Sequence, residues 1–85
     1  MSRQWNFTEK SENQFNNLDK TVKKRIVNKL DLWCKSEKPL DFAESLVNSE
    51  IGSYRFRVGD YRIIFDIEED EIVVLAVGHR REIYK

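Results

Sequence analysis

The chain has 85 residues, the size of one small domain, and residues 1–85 are therefore treated as a single unit. Its 15 basic and 15 acidic side chains cancel, so net charge does not point to a nucleic-acid-binding protein. No apolar run reaches the length of a membrane span and no signal peptide opens the chain, so we expect no membrane partner. Cys34 is the sole cysteine, which excludes an intrachain disulfide and favours a reducing, cytoplasmic setting.

The N-terminal part of the chain predicts a strand followed by a helical hairpin. Residues 5–7 alternate as in a short strand, and Thr8 is suited to cap a helix over 9–17. Asp19 is suited to cap a second helix over 20–35. The apolar residues recurring at helical spacing are Phe15, Leu18, Val22, Ile26, Leu30 and Trp33. The two helices should therefore share one apolar seam. We expect 36–50 to be a connector, because Pro39 interrupts the helical pattern, with a helical turn near 41–46.

Residues 52–65 predict a β-hairpin. Gly59-Asp60 suits a two-residue turn that needs positive φ. The expected cross-strand pairs are Val58 with Tyr61, Arg57 with Arg62, Phe56 with Ile63 and Arg55 with Ile64. Alternation then places the apolar side chains Tyr54, Phe56, Val58, Tyr61, Ile63 and Phe65 on one face, and Arg55, Arg57 and Arg62 on the other.

A third strand over 72–77 should follow the acidic loop 68–71. The expected pairs are Ile67 with Ile72, Phe65 with Val74 and Arg62 with Val77. The predicted fold class is α+β, a small single domain whose N-terminal strand and helical hairpin pack on one face of an antiparallel β-sheet.

The arginine face is the main candidate for function. Arg57 directly opposite Arg62 is repulsive by some tenths of a kcal/mol, roughly, which a fold tolerates best where an anion binds. Phosphate is the obvious anion, because guanidinium groups match its oxygens two at a time. Arginines with His79 and several tyrosines suit phosphodiester chemistry and contacts to unpaired RNA bases. One histidine and one cysteine cannot form the usual metal ligand set, and we expect no cofactor.

Each of these features also has a purely structural interpretation. The arginines could form a solvated face that pairs with Asp66 or Glu50. His79 could be a surface histidine, and Tyr84 could belong to a frayed terminus. The basic run 20–29 could be no more than the solvent-exposed face of an amphipathic helix.

Two motifs, YRFRVGDYRIIF over 54–65 and VGHRREIY over 77–84, resemble the RelE branch of the RelE/ParE toxin superfamily. The helical front half, 15–30, is similar to the helical hairpin of the same family. The resemblance implies the toxin of a type II toxin–antitoxin system, bound by a cognate protein antitoxin. It further implies an endoribonuclease that enters the ribosomal A site and cleaves mRNA. There the ribose 2′-hydroxyl attacks the adjacent phosphate.

The resemblance also implies roles for individual residues. Arg55 and Arg57 occupy the positions of a lysine pair, with Arg57 taken as catalytic and Arg55 as substrate-binding. Arg62 corresponds to an arginine that stabilises the phosphate, Arg80 to one associated with the leaving group, and Tyr84 to a tyrosine that stacks on a base.

Arginine in place of lysine has a chemical consequence, since arginine does not give up its proton as a base would require. His79, beside Arg80, is the substitute candidate for proton transfer, and Arg81 is expected to help bind the substrate. The lysines expected to contact ribosomal RNA are Lys20, Lys23, Lys24 and Lys29.

Two other functions remain open at this point. A ParE-like toxin on the same fold would poison DNA gyrase and cut no RNA. A non-catalytic module would use its cationic face only to bind an acidic antitoxin. Tyr84 together with Arg80 favours the ribonuclease, since ParE-like chains generally lack the C-terminal aromatic residue.

Overall fold

The computed structural model describes residues 4–47 and 49–83, and Tyr84 lies outside these residues. In chain order its elements are β1 (Gln4–Phe7), α1 (Glu9–Asn16), α2 (Lys20–Lys35), a 3-10 turn (Pro39–Phe42), β2 (Glu44–Ser45), β3 (Tyr54–Val58), β4 (Tyr61–Glu68) and β5 (Glu71–His79). The five strands form one sheet in the order β1-β5-β4-β3-β2, in which β1 runs parallel to β5 and the other neighbours are antiparallel. The predicted α+β class is confirmed.

Both helices begin where their sequence signals predict. The Thr8 hydroxyl accepts a hydrogen bond from the Ser11 backbone N–H at 3.2 Å, as an N-cap does. Asp19 occupies the cap position of α2, although its side chain makes no capping hydrogen bond.

α1 is held to the sheet by two side chains that complete the backbone bonding of β5. Strand β1 ends at the pair Phe7–Val74, so β5 continues beyond it without that neighbour. The buried Ser11 hydroxyl donates to the Val74 carbonyl at 2.7 Å, and Gln14 Oε1 accepts from the Val77 N–H at 3.0 Å. The Gln14 bond gives the Val77 N–H an acceptor, and the Ser11 hydroxyl is a second donor to a Val74 carbonyl that also accepts from the Thr8 N–H at 3.1 Å.

The core lies between α2 and the apolar face of the sheet, as predicted. Ile26 and Leu30 are fully buried against this face. Trp33 stacks on Phe56 with ring centroids 3.9 Å apart, and Phe56 stacks on Phe65 at 4.1 Å. This burial of large apolar side chains is the main source of stability in so small a domain.

The connector differs from the expectation. The helical turn lies at Pro39–Phe42 rather than near 41–46. The short strand β2, which was not expected, then pairs Glu44 with Arg55 and Ser45 with Tyr54. A strand of two residues has no periodicity to read in the sequence.

One expected cross-strand pair is wrong. Arg62 lies opposite Gly78, not Val77, although Ile67–Ile72 and Phe65–Val74 pair as predicted. The register shifts because Leu75 is an extra residue, a β-bulge, between the pairs Phe65–Val74 and Ile64–Ala76. Because of the bulge, the Val77 side chain points into the main core and His79 lies opposite Tyr61.

The second face of the sheet carries a smaller apolar cluster beside the arginines. Ile64, Ala76 and Ile83 are buried there, and Leu46 and Ile51 pack against them. This cluster was not predicted, and it ties the connector and the residues after β5 to the arginine face.

Candidate functional site

The hairpin of β3 and β4 places Arg55, Arg57 and Arg62 on the face opposite the helices. The register confirms Arg57 directly opposite Arg62 and Arg55 opposite Ile64. The Arg57 side chain is 58% exposed, whereas that of Arg55 is 19% exposed. Arg57 is therefore the arginine of β3 that an incoming ligand can reach most easily.

Glu44 of β2 bridges the two arginines of β3. One carboxylate oxygen binds Arg55 Nη2, and the other lies 2.6 Å from Arg57 Nε. The arginines thus pair with Glu44, and the expected partner Asp66 instead accepts a hydrogen bond from the Ser53 N–H at 2.7 Å. Glu44 was missed in the sequence because it lies in a segment that was expected to be a connector.

The charge state of Glu44 follows from these contacts. The hydrogen bond from Arg55 is the main cause that lowers the pKa of the Glu44 carboxyl below its ordinary value, against an opposing effect of burial. The positive charges of Arg55, Arg57 and Arg62 lower the pKa further. Glu44 is therefore a carboxylate at neutral pH.

Arg62 turns away from Arg57 toward the hairpin turn. Its Nη1 donates to the Gly59 carbonyl at 2.8 Å and to the Tyr61 carbonyl at 3.0 Å. On the β5 side its neighbour is Gly78, which has no side chain. Arg62 is half-buried, and no side chain from Gly78 covers it on that side.

The residues after β5 fold back onto the same turn. The Arg80 N–H donates to the Asp60 carbonyl at 2.7 Å, and Arg80 Nε lies 3.9 Å from the Asp60 carboxylate. Arg81 is exposed and its backbone N–H donates to His79 Nδ1 at 3.1 Å. The structure thus brings Arg80 to the same turn as Arg62.

The bulge separates His79 from the arginine face. His79 pairs with Tyr61, whose side chain belongs to the helix-covered face, and the two rings meet edge to face at 5.5 Å. Because Nδ1 accepts the Arg81 N–H, the neutral ring carries its proton on Nε2. The ring can therefore donate a hydrogen bond, but it has no basic nitrogen available.

The basic lysines of α2 are not brought to the arginine face. The helix packs on the apolar face of the sheet through Ile26 and Leu30, so the sheet separates it from Arg55 and Arg57. The lysines concerned, Lys20, Lys23, Lys24 and Lys29, are exposed or half-exposed.

Two further properties concern the described part of the chain, residues 4–47 and 49–83. No group of three or more histidine, cysteine, aspartate or glutamate side chains there is arranged to hold a metal ion. Neither helix in these segments has the length and apolar character to cross a bilayer.

The chain is similar to known toxins of toxin–antitoxin systems in sequence and in structure. The family model of the ParE toxin of type II toxin–antitoxin systems matches residues 6–84. The chain is similar in structure to a chain of the RelBE2 toxin–antitoxin complex from Mycobacterium tuberculosis, with a TM-score of 0.78, 25% identity, and coverage of 94% of this chain and 100% of that one. It is also similar to a chain of the archaeal RelE–RelB complex from Pyrococcus horikoshii, with a TM-score of 0.74, 22% identity, and coverage of 96% and 99%. No curated protein matches it in sequence.

Proposed function

The chain belongs to the RelE/ParE superfamily of type II toxins, and on this premise we propose that it is an endoribonuclease that cleaves mRNA in the ribosomal A site. The observation that carries the proposal is the arginine face. Arg57 and Arg62 lie opposite each other on an open sheet surface, beside a carboxylate that is held ionised. Two cations with an adjacent base are what cleavage of a phosphodiester by the neighbouring 2′-hydroxyl requires.

In the proposed reaction, the 2′-oxygen forms a bond to phosphorus and the bond from phosphorus to the 5′-oxygen breaks. The products are a 2′,3′-cyclic phosphate and a 5′-hydroxyl. Arg57 and Arg62 stabilise the charge that builds on the phosphate oxygens, while Arg80 stabilises the leaving oxygen. Arg55 and Arg81 help bind the substrate. Tyr84 stacks on a base to hold the codon, as the family resemblance implies.

Glu44 supplies the proton acceptor that the arginines cannot. Its position on the arginine face and its lowered pKa support this role, since an acceptor must be unprotonated before the reaction. A lowered pKa also makes it a weak base, so much of the rate must come from positioning and electrostatics. His79, whose neutral ring carries its proton on Nε2, has the narrower role of donating a hydrogen bond to the leaving 5′-oxygen, which takes its proton from water.

The proposal includes two partners and a location. A cognate protein antitoxin neutralises the toxin, as the family of type II systems implies, and the ribosome presents the mRNA. The lysines of α2 contact ribosomal RNA through its phosphates. All of these partners are in the cytoplasm, where the lone buried Cys34 stays reduced.

A second candidate function is poisoning of DNA gyrase. It is favoured by one observation, that the matching family model is that of ParE toxins. The two functions make different demands on the arginine face, because a gyrase poison cuts no RNA and needs no proton acceptor.

Controlled expression of the toxin separates these candidates. Wild-type protein, expressed without an antitoxin, should stop growth and produce new mRNA 5′ ends within codons. Arg62→Ala should be expressed at the same level and produce none of these ends. Growth arrest with intact mRNA and induced DNA damage responses would instead assign the gyrase function. Unimpeded growth with folded wild-type protein would indicate the non-catalytic module.

A further inference from the structure

The guanidinium group of Arg25, on α2, lies against the tip of the β3–β4 hairpin. Gly59 has a positive φ of 59°, and a Cβ atom at this position would lie 3.1 Å from Arg25 Nη2. The absence of a side chain at Gly59 therefore lets the guanidinium approach the turn. Arg25 is exposed, and none of the ion pairs among residues 4–47 and 49–83 involves it.

Arginines from two elements and from the segment after β5 meet at this one turn. Arg62 of β4 donates to the Gly59 carbonyl at 2.8 Å, and Arg80, after β5, donates its N–H to the Asp60 carbonyl at 2.7 Å. Arg25 reaches the turn from the helix side of the sheet, whereas Arg62 reaches it from the opposite face. We call Arg25, Arg62 and Arg80 with the Gly59-Asp60 turn the cationic rim.

The acidic turn between β4 and β5 lies far from the cationic rim, whose own acid is Asp60. Strand β4 runs from Tyr61 beside the rim to Glu68, and the acidic turn Glu69-Asp70 follows at the opposite end. A strand of this length spans roughly 23–27 Å, more than two Debye lengths at physiological salt. The net charge is zero, yet positive and negative side chains are concentrated at opposite ends of the sheet. An RNA strand near the rim is therefore repelled only weakly by the acidic turn.

We propose that the cationic rim is a second phosphate-binding surface, in which Arg25 binds a backbone phosphate of single-stranded RNA next to the scissile one. This inference rests on the proposed function, because it continues the path of the RNA from the arginine face around the end of the sheet. Arg62 belongs to both surfaces and joins them. Arg25 supplies the anchor on the far side of the turn.

One feature favours RNA over an acidic peptide as the ligand. The rim is continuous with Arg57 and Arg62, where the scissile phosphate is proposed to bind, so successive phosphates of one strand can bind to both. The fork of a guanidinium offers two parallel N–H donors to a phosphate, as it does to a carboxylate, so the continuity of the surface decides between the two ligands.

The test uses binding of a single-stranded RNA whose 2′-hydroxyls are methylated, so that it binds without being cleaved. Arg25→Gln should weaken binding about fivefold to tenfold at low salt, and should reduce the slope of log affinity against log salt by about 0.7, the value for one lost phosphate contact to a single strand. Lys10→Gln, which removes one exposed positive charge from α1, should change neither quantity measurably. The RNA affinity of Arg25→Lys should lie between those of the wild type and Arg25→Gln, because lysine keeps the charge and lacks the paired N–H donors of a guanidinium. Melting temperatures of all variants should match the wild type.

Three outcomes would overturn the inference. Arg25→Gln could behave as Lys10→Gln does while Arg62→Ala abolishes cleavage, which leaves the proposed function intact. Arg25→Gln could weaken binding of a polyglutamate peptide and not of the RNA, which would assign the rim to an acidic protein. Finally, Arg62→Ala could leave both RNA binding and cleavage unchanged, in which case the proposed function fails first.

Discussion

Arg57 and Arg62 lie directly opposite each other on β3 and β4, yet their guanidinium groups bind in opposite directions. Arg57 Nε lies 2.6 Å from Glu44 Oε1, whereas Arg62 Nη1 donates to the Gly59 carbonyl at 2.8 Å. The repulsion between two facing cations is thereby reduced without removing either charge from the surface. A phosphate that arrives between them would find two cations already fixed, which is the arrangement that electrostatic catalysis needs.

Arg62→Ala should abolish most cleavage without unfolding the protein. Loss of a donor to a developing oxyanion lowers kcat by about 100-fold to 1,000-fold. The lost bonds to the Gly59 and Tyr61 carbonyls should cost about 0.5–1.5 kcal/mol or less, because the site is open to water. Single-turnover cleavage and thermal melting measure the two effects. A large loss of melting temperature with residual activity on the folded fraction would mark Arg62 as structural.

Glu44→Gln should separate kcat from KM. The substitution removes the proton acceptor, so kcat should fall at least about tenfold. It also removes the anion that competes with phosphate for Arg55 and Arg57, so KM should not rise. KM should fall where the substrate dissociates faster than it is cleaved, because KM then reports binding. Glu44→Asp keeps the carboxylate and serves as the control, with an intermediate kcat. An unchanged kcat in Glu44→Gln would show that Glu44 is not the proton acceptor and only pairs with Arg55 and Arg57.

The same carboxylate should make stability depend on acid pH. The pKa of Glu44 is lowered in the folded state from its ordinary value of 4.5, chiefly by the Arg55 hydrogen bond. A group of this kind stabilises the fold above its unfolded pKa and loses that contribution as pH falls through the folded pKa. The melting temperature of the wild type should therefore exceed that of Glu44→Gln at pH 7, and the difference should shrink as the pH falls below 4.5. A difference that grows with acid would contradict the pairing with Arg55.

Gly52→Ala should destabilise the fold, because this glycine lies against the smaller apolar cluster. An added Cβ would lie 2.7 Å from Ile64 Cγ2 and 2.9 Å from Leu75 Cδ1, and the branched Ile64 side chain is fully buried. Overpacking of this kind costs about 1–3 kcal/mol. Gly78→Ala is the matched control, since its nearest neighbour, Ile83, would be at 3.8 Å. Equal urea midpoints for the two variants would show that the cluster rearranges around the added methyl group with little loss in the free energy of unfolding.

Parts of the candidate site were readable from the sequence because they depend on local rules. The Gly59-Asp60 turn set the register of β3 and β4, and alternation then put the three arginines on one face. Glu44 could not be read in this way, since β2 has two residues and exists only through its pairing with β3. His79 was expected beside Arg80 as the proton-transfer candidate, and a single unpaired residue, Leu75, places it opposite Tyr61 on the helix-covered face.

The sequence by itself determined the α+β class, the caps of both helices, the apolar seam and the register of the central hairpin. These follow from periodicity, turn chemistry and capping, each of which acts within a few residues. Only the tertiary structure decided that Glu44 binds Arg55 and Arg57, that Arg25 reaches the Gly59 turn, and that a bulge shifts β5. Those contacts join segments distant in the chain, and the packing of the whole domain selects them.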